Sequence, residues 1–114
     1  MQSGRTNILR FLGLAAKASR VTSGFDMSLS AIKKNQARLL ILSEDISRNT
    51  LNKLLDEASK ANVSMPDAYS FGTQFELGKA IGKPDRAIVV VTDEGFARKL
   101  SEMLSQLDEQ EDIH

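Results

Sequence analysis

The chain has 114 residues, 41% of them hydrophobic and 26% charged, which is enough for one globular domain whose core needs neither a disulfide nor a metal to hold it. It contains no cysteine, so disulfides, thiolate nucleophiles, zinc fingers and iron–sulfur clusters are excluded, and a reducing cytoplasm is the default compartment. The formal net charge of zero hides an asymmetry: residues 1–38 carry seven basic groups against Asp26 alone, the middle of the chain is nearly balanced, and residues 101–114 hold five acids and no Lys or Arg.

Apolar spacing at Ile8, Leu12, Ala15 and Ala16 predicts a first helix from Thr6 or Asn7 to Ala18. A short extended piece, Arg20-Val21-Thr22, follows, and Ser23 offers an N-cap for a second helix that runs through Lys34, with Asn35 as a left-handed stop. Arg38 to Ser43 is continuous in Leu and Ile and predicts a strand buried on both faces. The third helix starts at Ser47 or Asn49, shows Leu51, Leu54, Leu55 and Ala58, and ends around Asn62. Val63 to Phe71 contains Pro66 and no long apolar run, which predicts a weak or edge strand. A short helix follows Gly72-Thr73 as far as Ile81, stopped by Gly82 and Pro84, and Arg86 to Thr92 is the second buried strand. Asp93 caps a last helix with Phe96, Ala97, Leu100, Met103, Leu104 and Leu107 on one stripe. Residues 1–107 are thus read as a single domain of α/β class with a covered central sheet, and 108–114 as an acidic tail that frays.

The first ten residues are polar and no signal peptide is expected; the apolar runs 39–42 and 87–91 have strand length, far below the ~20 residues of a membrane helix. Enzyme chemistry is poorly supported, and no catalytic residue, metal ligand or cofactor is expected. The only histidine is His114, the last residue, and the serines lack a base. The acidic pairs Glu44-Asp45 and Asp93-Glu94 sit where a strand gives way to a helix, so helix capping is the better reading than metal binding. Gly72 and Gly78-Lys79 fail as a phosphate loop, because five residues separate the glycines and Ala80 stands where Ser or Thr is required. Tyr69 and the five phenylalanines do not interleave with basic residues, which argues against an aromatic stacking platform.

The turn Arg20-Val21-Thr22-Ser23-Gly24-Phe25-Asp26 is different. Gly24 in the first turn of a helix lets a phosphate or base edge approach the backbone, the helix start supplies free N–H donors, and Arg20, Lys33 and Lys34 add positive charge. An ordinary capped helix start with a glycine accounts for the same residues, so anion or RNA binding is one reading of two.

Three segments, Phe11-Leu12-Gly13-Leu14-Ala15-Ala16-Lys17-Ala18, Ala37 to Asp45 and Glu76-Leu77-Gly78-Lys79-Ala80-Ile81-Gly82-Lys83, together with Val89 to Ala97, resemble the small bacterial YlxQ-type members of the L-seven-Ae, or kink-turn-binding, family of ribosomal proteins. The likeness spans residues 7–104 in order and spacing. It implies a three-layer α/β/α sandwich with a four-stranded mixed sheet, and a monomeric partner of structured, ribosomal RNA bound at the start of the second helix. The family motif there is glycine, any residue, asparagine, glutamate, then lysine three residues later. Gly24 matches the glycine, Phe25 fills the free position, and Asp26, Met27 and Ser30 replace the asparagine, glutamate and lysine. Ser23 takes a position often basic in the family, and the loop Gly82-Lys83-Pro84-Asp85-Arg86 is charged where strong kink-turn binders are apolar. Asp26 accepts hydrogen bonds but cannot donate them, and Met27 cannot accept from a guanine edge. Backbone holding through Arg20, Ser23, Gly24, Lys33, Lys34 and Arg86 is therefore expected to outweigh base readout. The competing expectation is a protein-contact module that has lost RNA binding, with Phe25 and Met27 as an exposed apolar pair.

Overall fold

The computed structural model describes residues 3–112, in the order α1 (Gly4–Lys17), β1 (Val21–Ser23), α2 (Phe25–Lys33), β2 (Leu39–Leu42), α3 (Arg48–Lys60), β3 (Ala68–Ser70), α4 (Gln74–Ala80), β4 (Ile88–Val91) and α5 (Glu94–Asp112). Each predicted element is present, and local hydrogen bonds set the boundaries. The Ser3 hydroxyl accepts from the Thr6 N–H at 3.1 Å, which starts α1 ahead of the expected Thr6 or Asn7. Ser47 caps α3 through the Thr50 N–H, Thr73 and Glu76 form a reciprocal capping box on α4, and the Asp93 carboxylate takes the Phe96 N–H at 2.9 Å to open α5. Asn35 and Asn62 adopt left-handed backbone angles of +59° and +56° after α2 and α3.

The four strands form one mixed sheet in the order β1-β4-β2-β3, antiparallel except for the β2–β3 pair. Alternation along the two central strands sends Leu39, Ile41, Val89 and Val91 to the face covered by α1, α4 and α5, and Leu40, Ile88 and Val90 to the face covered by α2 and α3. The result is the expected three-layer sandwich. Fully burying each such side chain contributes about 1.5–3 kcal/mol, so the strands that are buried on both faces anchor both layers. The short β3, which follows Pro66, sits at an edge, where Pro is tolerated.

Because β1 and β2 both run antiparallel to β4, they are parallel to each other, and α2 returns between them in the opposite sense. One end of the sheet therefore gathers Gly24, whose N–H bonds the Ile88 carbonyl, and Ser43, whose N–H bonds that of Ala87. The other end gathers Arg20, whose carbonyl accepts from the Thr92 N–H, and Arg38, whose N–H bonds the Val91 carbonyl.

Two expectations need correction. Ser23 does not cap α2: it is paired with Val89 in the sheet, and Gly24, at φ +86°, is the N-cap, an angle that strains any residue with a side chain. Asp45 caps a helix distant in sequence, its Oδ1 accepting from the Gln74 N–H at the start of α4, because β2 and β3 are neighbours and deliver the two segments to one edge. α5 spans Glu94–Asp112, and His114 lies outside the described residues. Among the described residues, no helix is long and apolar enough to cross a membrane.

Candidate nucleic-acid interface at the start of α2

Gly24 turns the chain from β1 into α2 without a side-chain cap. Among the described residues, the N–H groups of Phe25, Asp26 and Met27 have no hydrogen-bond acceptor, while Ser28 already donates to the Gly24 carbonyl. Three donors at a helix start carry the positive end of the helix dipole and suit a phosphate oxygen or a base carbonyl. α2 is nine residues long, and its C-terminal half is fixed by the buried Leu29, Ala31 and Ile32, so the entrance is held rigidly.

Arg86 reaches this entrance from the segment preceding β4. Its Nε donates to the Ser23 Oγ at 3.1 Å, its Nη1 to the Asp85 carbonyl, and its own N–H to the Gln74 carbonyl at 3.0 Å. These contacts fix the guanidinium beside Gly24, where an added Cβ would lie 4.0 Å from Nε. An arginine held on both sides in this way presents the rest of its fork at little entropic cost.

The structure brings Ser23, Gly24, Phe25, Asp26 and Arg86 together but does not bring Lys33 and Lys34 to them. Lys33 ends α2 and Lys34 caps it, roughly 13 Å of helix away from Gly24. Arg20 precedes β1 and lies at that same far end of the sheet. Ser30, half-buried one turn beyond Asp26, shares its helix face. Among the residues that replace the family motif, Asp26 is exposed and Met27 is 63% exposed, so these positions face solvent with altered chemistry.

Phe25 is only half-exposed and packs against the core beneath α2 and α3, with Lys53 Nζ over its ring at 5.1 Å. The expected Phe25–Met27 surface pair is therefore divided, one residue packed and one in water. Lys53, on α3, is a cation at this entrance that the sequence did not announce. It lies far from Gly24 in the chain, and only the packing of α3 beside α2 delivers it. In the preceding loop, Lys83, Pro84 and Asp85 are exposed, and Pro84 closes back on Gly78, so the loop offers a charged surface there. No group of three or more His, Asp or Glu among the described residues could hold a metal.

Residues 6–101 match the model of the ribosomal protein L7Ae/L30e/S12e/Gadd45 family. The chain belongs to that family. It is similar to the RNA-binding protein YlxQ of Bacillus subtilis (strain 168), with 41% identity over 93 residues covering 82% of this chain and 90% of the relative. A second YlxQ, from Enterococcus faecium, is 28% identical over 103 residues, 90% of this chain and 96% of its own. Among solved structures, a Bacillus halodurans C protein of unknown function superposes with a TM-score of 0.74 at 36% identity, covering 86% of this chain and 96% of that one. The Giardia lamblia 15.5kD RNA binding protein superposes with a TM-score of 0.69 at 13% identity, covering 96% and 92%, a likeness of fold. The family and these relatives carry the names of ribosomal and RNA-binding proteins rather than of enzymes.

Proposed function

We propose that this member of the L7Ae/L30e/S12e/Gadd45 family is a non-enzymatic, monomeric cytoplasmic protein that binds structured, kink-turn-like ribosomal RNA at the N-terminal end of α2. The observation that carries this reading is the juxtaposition of three unpartnered N–H groups after Gly24 with an Arg86 guanidinium tethered to Ser23. The likeness to the RNA-binding YlxQ proteins supports the RNA part of it. With Asp26, Met27 and Ser30 at the reading positions, the contacts are mainly to the RNA backbone. Loss of two base contacts at about 1–3 kcal/mol each lowers discrimination by orders of magnitude.

The test is a titration of the full chain with a kink-turn RNA and a matched unkinked duplex at two salt concentrations, repeated with Arg86→Ala. The expected outcome is a preference for the kink-turn that is modest and steeply salt-dependent, and that falls about tenfold with the variant. Equal affinity of wild type and Arg86→Ala for the kink-turn would remove the site, and no binding to either RNA would remove the function.

A further inference from the structure

The sheet face opposite α2 carries a second surface feature. Between α1 and α4 lies an open groove of about 660 Å³, and a neighbouring hollow of about 310 Å³, which reaches Gly82, shares Gly13, Lys17, Lys79 and Ala80 with it. Along α1 it runs from Thr6 to Lys17, about 16 Å or three helical turns.

Its floor is fixed by a close approach of the two helices. A Cβ on Gly13 would stand 2.8 Å from the Ala80 carbonyl oxygen, so α1 and α4 touch there. The opposite face of α1, Ile8, Leu12 and Ala15, is locked in the core. The groove wall is apolar, and two of its side chains are conspicuously wet: Leu14 is 51% and Phe75 63% exposed. The rim carries Lys17 and Lys79, and Arg10 and Glu76 also line the groove. Glu76 is already turned to the Thr73 N–H at 2.9 Å, whereas Lys17 and Lys79 form no ion pair among the described residues, and Lys79 Nζ rests 5.9 Å from the Phe75 ring.

We propose that this groove docks an acidic amphipathic helix of a partner protein, its apolar side chains spaced at i, i+3 or i+4, and i+7 over Leu14 and Phe75 and its carboxylates on Lys17 and Lys79. The length, the apolar wall and the two lysines on the rim match that mode of recognition. RNA fits less well, since one phenylalanine among aliphatic walls can stack only one base. Phe96 pairs with Phe11 and Leu107 lies against Gly4, so α5 runs antiparallel to α1. This docking is independent of the α2 entrance.

The experiment titrates the 15N-labelled full chain with a synthetic three-turn helical peptide bearing Leu at those positions and Glu beside them, with its Glu→Lys counterpart, and with an oligouridylate. The acidic peptide is expected to shift the amide signals of Leu14, Lys17, Phe75 and Lys79 and to bind at least about tenfold tighter than its lysine counterpart. Leu14→Asp with Phe75→Glu, both at exposed positions, should abolish binding without altering the circular dichroism or the RNA affinity. Lys17→Glu with Lys79→Glu should reverse the preference toward the lysine peptide. Equal binding of the two peptides, no shifts along α1 and α4, oligouridylate shifting the same signals, or self-association that Phe75→Glu abolishes would each overturn the proposal.

Discussion

At Gly24 the backbone sits at φ +86°, and the nearest atom to an added side-chain carbon would be an arginine nitrogen at ordinary contact distance. The cost of a substitution there is therefore conformational rather than steric. Gly24→Ala should lower stability by about 1–2 kcal/mol in urea titration, with RNA affinity falling further as the entrance shifts. Gly78 poses the opposite case. It lies inside α4, where alanine would ordinarily contribute about 1 kcal/mol of helix propensity, but a Cβ would meet the Pro84 carbonyl oxygen at 2.0 Å. Collision with backbone outweighs propensity. Gly78→Ala should be destabilising by a net of about 1–3 kcal/mol, read from the same titration.

Among the elements, α4 depends on the ends of other segments. Its capping box from Thr73 and Glu76 is local, and Thr73→Ala should cost about 1 kcal/mol in thermal or urea unfolding. Its second restraint is tertiary, the Asp45 carboxylate on the Gln74 N–H at 3.0 Å. Partial desolvation pushes the Asp45 pKa up, but the hydrogen bond from the Gln74 N–H and its companions outweigh this and hold it below the ordinary aspartate value. The stabilisation is therefore fully present above the unfolded-state pKa of about 4 and is lost as pH falls through the lower folded-state value. Asp45→Asn should flatten the stability profile on the acid side of pH 4 and leave the profile between pH 5 and 8 parallel to that of the wild type. A difference in slope near neutrality would contradict that assignment.

For the whole molecule, the positive charge of residues 1–38 is not one patch. Arg5 sits at the sheet end that carries Ser43, 2.9 Å from Glu44 and 4.8 Å from the Phe71 ring, whereas Arg20, Lys33, Lys34 and Arg38 belong to the other end. Lys33→Ala with Lys34→Ala should accordingly leave the binding of a short kink-turn RNA nearly unchanged. With a long flanking duplex that reaches past α2, it should reduce the slope of log affinity against log salt by up to about two. An equal loss with both RNAs would place these lysines at the entrance itself. Sedimentation of the free chain at its 12.5 kDa mass would check the proposed monomer.

The amino-acid order alone determined the elements and the fold class, because periodicity, caps and breakers act within a few residues: the continuous runs 39–42 and 88–91 had to be buried strands, and Asn35 and Asn62 had to end helices. It also exposed Gly24, whose left-handed angle is a local requirement, and the motif positions taken by Asp26, Met27 and Ser30. Tertiary structure decided what meets at a distance. The order of strands in the sheet put Arg86 at the α2 entrance and gave Asp45 a helix to cap that begins nearly thirty residues later, and the packing of α3 beside α2 brought Lys53 over Phe25. Ser23 is the plainest instance. Its side chain is a good helix cap by type, yet hydrogen bonding to β4 holds it in the sheet and its hydroxyl serves Arg86, because a ladder formed with a distant strand outweighs the preference of one residue for a cap.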